Sequence, residues 1–385
     1  MDVQAGHFLL TNLLSFYMIK KLAIFLLAMT TMAASAQKIA AGYYRVQNKK
    51  TNRFFWIVDN RAWMDTSGAD VNTGAFRTLL GFNEKVVSNP STICYISPVS
   101  NGQYNILGAG LDLYQMTGIY LDINLADATG AYSIAGSNGS IGKTLYDAVW
   151  SDTICNISTN GTNGYQLWYM RPVTGNYYYG IAPDVAAGGK YYTTQYASFP
   201  VSLTGSNVKA YYVKKIEGAY AIIAQLTAGV AENVPVVLEC ESQKAADNKL
   251  AVQAVAATSM TNLLKGVFFC NDVKEQTGHR NVLDYDASTM RVLGTDADGD
   301  LAFVTSSSLK YIPANKAYLV VPAGTPASLK LVTQQQYDTG VIEMRGERAK
   351  QPTGVYTLGG LRVADSTDGL PSGVYISAGK KVVVK

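Results

Sequence analysis

Gly42-Tyr43-Tyr44-Arg45-Val46 opens a pattern that returns as Gly102-Gln103-Tyr104-Asn105-Ile106 and again as Gly164-Tyr165-Gln166-Leu167. Aligning Tyr44, Tyr104 and Tyr165 gives steps of 60 and 61 residues. A second echo, Thr92-Ile93-Cys94-Tyr95-Ile96-Ser97 against Thr153-Ile154-Cys155-Asn156-Ile157-Ser158, has the same step of 61. Two independent matches at one offset point to an internal repeat, and repeats decide architecture before single strands do. Each unit adds strand-like runs, Phe54 to Val58, Ile119 to Ile123 and Tyr177 to Ile181, separated by turn pairs such as Asn101-Gly102, Asn163-Gly164 and Gly188-Gly189. Three units of about four short strands each, between residues 40 and 205, predict a β-trefoil-like domain whose pseudo-threefold packing closes a small barrel and hides most strand edges. A β-sandwich or a propeller fragment is the competing plan.

Strand alternation turns Cys155 and Ile157 inward if the polar Asn156 faces out, and equivalence turns Cys94 and Ile96 inward as well. Two readings of these cysteines stand: a disulfide between Cys94 and Cys155 near the barrel axis, or two buried thiols packing as small apolar groups. None of the four cysteines lies at CxxC spacing, so a structural zinc site has no support.

From about Lys209 the repeat stops and a second all-β pattern begins: 210–213, 219–226, 234–240, 266–270, 290–293, 301–304 and 317–321. Prolines 235, 313, 322 and 326 sit at strand starts or edges, where a missing N–H does least harm. A β-sandwich-like domain over residues 209–335 is the natural reading. Residues 340–352 are charged and poor in apolar side chains, as in a linker. Strand patterns resume in residues 353–385 as a short C-terminal β module. The fold class is therefore all-β, with 26 Tyr and 35 Gly supplying pleated-surface packing and turns.

At the other end, Met18-Ile19-Lys20-Lys21 is a basic segment, Leu22 to Met32 an apolar one, and Ala34-Ser35-Ala36 a small-x-small cleavage site before Gln37. Residues 18–36 thus read as a signal peptide, and residues 1–17 as sequence upstream of the natural start. The apolar run is about 11 residues where a bilayer span needs about 20, so no transmembrane anchor is expected after signal removal. The expected location is secreted or cell surface, with the periplasm as the other compartment.

The chain carries 32 Lys and Arg against 28 Asp and Glu, and loses Lys20, Lys21 and Asp2 with the leader, which leaves it close to neutral. Without a dense basic run there is no footprint for nucleic acid. Beyond the leader only His279 remains of the commonest general base, in the turn-like stretch Gln276-Thr277-Gly278-His279-Arg280, and there is no G-x-S-x-G elbow. No catalytic residues and no cofactors are assigned, and noncatalytic binding is the expected work.

Two clusters carry candidate ligand chemistry. Tyr177, Tyr178, Tyr179, Tyr191 and Tyr192, with Asp184 and Lys190, combine aromatic faces that stack on sugar rings with polar groups that bond hydroxyls, so a glycan or surface polymer is the expected partner. Asp296, Asp298 and Asp300 around Gly299 offer oxygen ligands for calcium without an EF-hand's spacing or final glutamate. A type I′ turn at Asp298-Gly299 explains the same letters. A protease-inhibitor or protein-interaction module, using a loop near Leu111 to Gly118, and a two-carboxylate glycosidase are the alternative functions.

Two resemblances add to this. Val355-Tyr356-Thr357-Leu358-Gly359-Gly360-Leu361-Arg362-Val363, Leu370-Pro371-Ser372-Gly373-Val374-Tyr375 and Gly379-Lys380-Lys381-Val382-Val383-Val384-Lys385 resemble the C-terminal sorting modules of exported Bacteroidota proteins, though the tail is shorter than a full type IX sorting domain. That resemblance implies export and a cell-surface destination. Gln166-Leu167-Trp168 is similar to the Q-x-W of ricin-type trefoil lectins, which implies a trefoil and sugar binding.

Overall fold

The computed structural model describes residues 39–57, 76–80, 82–99, 102–108, 111–112, 121–136, 144–147, 155–158, 164–270, 283–339, 354–358, 361–377 and 380–384. Residues 1–36, His279, the 340–352 segment and most of the loop from Leu111 to Gly118 lie outside that set. The described residues form two compact units divided after Tyr177.

The first unit runs β1 (Gly42–Asn48), β2 (Arg53–Ile57), β3 (Phe76–Leu80), β4 (Cys94–Pro98), β5 (Tyr104–Gly108), β6 (Leu111–Asp112), β7 (Leu121–Leu125), β8 (Tyr132–Gly136), β9 (Thr144–Asp147), β10 (Cys155–Ser158) and β11 (Leu167–Pro172). Antiparallel pairing links β1 to β4, β4 to β5, β5 to β7, β7 to β8, β8 to β11 and β11 back to β1. Six strands are therefore linked pairwise into a closed ring. The β2–β3 and β9–β10 hairpins stand outside it.

Three first strands carry the same letters: Gly42-Tyr43-Tyr44-Arg45-Val46 on β1, Gly102-Gln103-Tyr104-Asn105-Ile106 leading into β5, and Gly130-Ala131-Tyr132-Ser133-Ile134 leading into β8. Val46, Ile106 and Ile134, two residues beyond those tyrosines, are all buried. The three tyrosines are neighbours: burial and the nearby Tyr132 and Tyr104 hydroxyls push the Tyr44 hydroxyl above its ordinary value. The entering chain meets these tyrosines, with the Ile39 amide donating to the Tyr104 hydroxyl at 3.1 Å and the Tyr44 hydroxyl donating to the Ala40 carbonyl at 3.0 Å.

This differs from the sequence expectation in its third unit. Tyr165 lies in the turn before β11, where its carbonyl accepts from Asn48 Nδ2 and the Asp147 amide, while Tyr132 holds the place matching Tyr44 and Tyr104. A constant period near sixty residues concealed this, because the second unit is much shorter than the first. For the same reason Cys94 and Cys155 are not equivalent. Cys94 sits on a ring strand opposite Tyr44, whereas Cys155 sits on β10, which pairs with β9 outside the ring. Cys94 is a free, buried thiol pushed up to about 12 by desolvation, so the packed-thiol reading describes it and the Cys94–Cys155 disulfide does not.

Outside the ring, Arg45 is fully buried. Its guanidinium donates to the Val86 carbonyl at 2.7 Å, the Val87 carbonyl at 3.0 Å and the Tyr177 carbonyl at 3.3 Å, and also to Thr92 Oγ1. One side chain thus bonds the buried carbonyls of Val86 and Val87 at the end of the short helix Glu84–Val87. The turn between β7 and β8 is held by Asp127, which accepts from Lys49 Nζ at 2.6 Å and from the Thr129 amide at 2.9 Å. The Lys49 bond, then those of Thr129, hold the Asp127 carboxyl below the usual carboxylate range; Thr289 and Ser288 do the same for Asp286 in the second unit. A depressed folded value gives stability that is complete above the unfolded value and lost as pH falls from there through the folded value. The melting temperature should accordingly drop as pH is lowered below about 4, and the paired change Asp127→Asn and Asp286→Asn should shrink that drop. An unchanged drop in the variant would assign acid sensitivity to other groups.

The second unit contains β12 (Tyr179–Gly180), β13 (Val185–Ala187), β14 (Lys190–Gln195), β15 (Val201–Ser202), β16 (Lys209–Glu217), β17 (Tyr220–Leu226), β18 (Gly229–Val230), β19 (Val236–Cys240), β20 (Lys249–Val252), β21 (Leu264–Val267), β22 (Met290–Thr295), β23 (Leu301–Val304), β24 (Lys316–Val320) and β25 (Ser328–Thr333). Ten of them form one sheet in the order β13-β14-β19-β16-β17-β25-β23-β22-β24-β21, and β12-β20-β15-β18 form a smaller one. The large sheet curls until its two ends meet: the Tyr196 amide donates to the Asn315 carbonyl at 2.8 Å and the Ala317 amide to Thr194 Oγ1 at 3.0 Å. Val213, Ala221, Val237, Phe303, Leu319 and Leu329 fill the inside of the curl. The sequence places the domain boundary near residue 205, but β14 pairs along its length with β19, so its residues belong to this sheet. The tail adds β26 (Val355–Thr357), β27 (Arg362–Ala364), β28 (Gly373–Ser377) and β29 (Lys380–Val384), a four-stranded sheet in the order β27-β26-β28-β29.

Candidate functional site

Within the second unit the inner face of the curled sheet opens into a recess of about 180 Å³. Its floor is Ile223 of β17, Val237 of β19 and Leu331 of β25, all continuous with the hydrophobic core. Successive residues of a strand face opposite sides, so Val237 and Glu239 share a face. The first goes into the core and the second into the recess wall. Glu239 stands opposite Tyr192 of β14 and Lys209 of β16, three neighbouring strands placing three side chains in one row.

The Glu239 carboxylate is 7% exposed and held from two sides, by Lys209 Nζ at 2.9 Å and by the Tyr211 hydroxyl at 3.1 Å. A carboxylate offers about four lone-pair sites. The two contacts leave acceptor capacity toward the recess. Across from it, Lys330 forms an ion pair with Asp300, and that bond, with the charges of Asp300, Asp296 and Asp298, raises the Lys330 ammonium above its ordinary value and keeps it charged. The rim is completed by Thr333 and Gln336, which bond each other through their amides and side chains at the start of the helix Gln334–Thr339.

Of the seven side chains expected to form a ligand site, Tyr192 alone lines this recess. Tyr177 belongs to the first unit, edge-on to Phe82 at 5.4 Å with the Arg171 guanidinium 5.1 Å from its ring. Tyr178 lies under the Lys249 ammonium at 4.3 Å, and Tyr179 is buried edge-on against Phe199. Asp184 pairs with Lys316 at 2.8 Å, Lys190 pairs with Glu241, and Tyr191 turns away from Tyr192 by strand alternation. The tyrosine-rich stretch is therefore divided among two units and two sheets. The physical reason is its pairing, since β12 joins β20 while β14 joins β19.

Sequence reasoning missed Glu239, Tyr211 and Lys330. Val236-Val237-Leu238-Glu239-Cys240 did hold a signal: one carboxylate inside an otherwise apolar buried strand must be paired.

The aspartate cluster is a hairpin turn. Asp296 Oδ1 accepts from the Asp298 and Asp300 amides at 3.0 and 2.9 Å, and Asp300 is engaged by Lys330. Gly299 has φ of 83° while Asp298 has no positive φ, so the turn is not type I′, which requires two such residues. Among the described residues no three side chains are grouped as metal ligands, and no helix is long and apolar enough to cross a membrane.

No protein-family model matches the chain, and no curated protein matches it. Among solved structures, one described as "SeviL bound to asialo-GM1 saccharide" aligns at 11% identity over 35% of this chain and 100% of its own, with a TM-score of 0.21. Another, "Structure and mode of action of a mosquitocidal holotoxin", aligns at 9% identity over 75% of this chain and 51% of its own, with a TM-score of 0.27. At these TM-scores neither likeness carries an argument about what this chain does.

Proposed function

We propose that this chain is an exported, noncatalytic binding protein that takes an uncharged glycan in the recess of its second unit. The observation that carries the reading is the arrangement around Glu239: an apolar floor, two tyrosines, and charged groups that already have partners. A charged ligand would have to displace Lys209 from Glu239 or Asp300 from Lys330. A neutral polyol can use the remaining lone pairs while its ring faces the apolar floor. Export is supported by the leader-like residues 18–36 and by the sorting-like tail. The closed ring of the first unit is consistent with a trefoil-type barrel of unequal repeats.

A two-carboxylate hydrolase needs one carboxyl kept protonated as its acid. Glu239 is held by Lys209 and Tyr211 and Asp300 by Lys330, so binding without cleavage is the better account. A glycan array probed with the wild type and with Glu239→Gln tests this. The substitution keeps the shape of the side chain and weakens its acceptors, and loss of a charged hydrogen bond of about 1.5–3 kcal/mol lowers affinity roughly tenfold or more. Saccharide binding unaffected by Glu239→Gln would place the site elsewhere.

A further inference from the structure

The dimensions of the recess say more about the ligand than its polarity does, given the glycan reading above. Pockets that enclose drug-sized ligands run from about 300 to 1,000 Å³, and this one is about 180 Å³. It holds a single ring. The recess is also a dead end: Ile223, Val237 and Leu331 close its floor and belong to the packed core, so a polymer cannot pass through it. Glycans attached to a surface through their reducing end leave their non-reducing terminal rings free.

We propose that the recess recognises the terminal, non-reducing ring of an uncharged glycan, with Glu239 accepting from its hydroxyls and Lys330 donating to one of them. Internal rings contribute little, because they remain outside the mouth. A terminal ring that carries its own carboxylate would meet Glu239 at close range and would have to compete with Asp300 for Lys330.

The test is titration calorimetry of the full chain with methyl pyranosides of glucose, galactose, mannose and N-acetylglucosamine. Linear oligosaccharides of two to six of the same rings, and versions with the terminal ring oxidised to a uronic acid, complete the series. The proposal expects one methyl pyranoside to bind, its linear homologues to gain no more than about threefold, the uronic acid form to bind at least about tenfold more weakly, and Glu239→Gln to weaken all binding. Affinity that climbs tenfold or more with chain length and still depends on Glu239 overturns end-on recognition and leaves the glycan site standing. Absence of binding to any saccharide, or binding indifferent to Glu239→Gln, overturns both.

Discussion

Replacing Trp168 with alanine is expected to destabilise the first unit by about 3–5 kcal/mol, a large part of the 5–15 kcal/mol by which a domain is ordinarily stable. Trp168 is fully buried on β11, the strand that closes the six-stranded ring against both β1 and β8. Its indole Nε1 donates to the Leu145 carbonyl at 2.9 Å, tying the outlying β9 to the ring. Truncation therefore removes an aromatic from the core, opens a cavity beside the closure and leaves a buried carbonyl without its donor. Trp168→Phe keeps most of the volume and loses the bond, so it should cost clearly less. Urea unfolding followed by circular dichroism distinguishes them, and equal midpoints for wild type and Trp168→Ala would show that the ring does not depend on this residue.

The second large effect belongs to a glycine. A Cβ built on Gly266 would lie 2.1 Å from Cγ of Tyr196, whose ring stacks on Phe268 with centroids 4.3 Å apart. The Tyr196 amide is bonded to Asn315, at the seam where the curled sheet meets itself. The ring thus cannot move aside without disturbing its backbone anchor or its stacking partner. Gly266→Ala should lower stability by about 1–3 kcal/mol, the range for overpacking a fitted core. The cause is a specific clash, so the same substitution in a Tyr196→Ala background should cost much less, which a double-mutant cycle reads as coupling. Additive effects would mean that strand flexibility at Gly266, and not the ring lying over it, sets the requirement.

Much of the local structure was legible in the sequence. Leu301–Val304 is read residue for residue from its bounding turns, and Tyr44 and Tyr104 both lie on strands of the closed ring. What failed was the assumption of a constant period. Gly130-Ala131-Tyr132-Ser133-Ile134 repeats the opening letters after a short second unit, and a search near sixty residues steps over it. The candidate site was hidden for a different reason. Tyr192, Glu239 and Lys209 are far apart in sequence and meet only through the pairing of β14, β19 and β16, which no local pattern specifies. Adjacent tyrosines drew attention because they are dense, yet alternation sends neighbours to opposite faces and their strands join different sheets. Ser328–Thr333, the strand that carries Lys330 and pairs in parallel with β17, was not recognised.

We propose that Glu239 and its recess bind an uncharged glycan. The most direct measurement is the affinity of wild type and Glu239→Gln for one array-identified saccharide, by titration calorimetry at pH 7, with both proteins shown to melt at the same temperature. The account predicts saturable one-site binding that weakens at least about tenfold in the variant. Equal affinities in two equally folded proteins would contradict it.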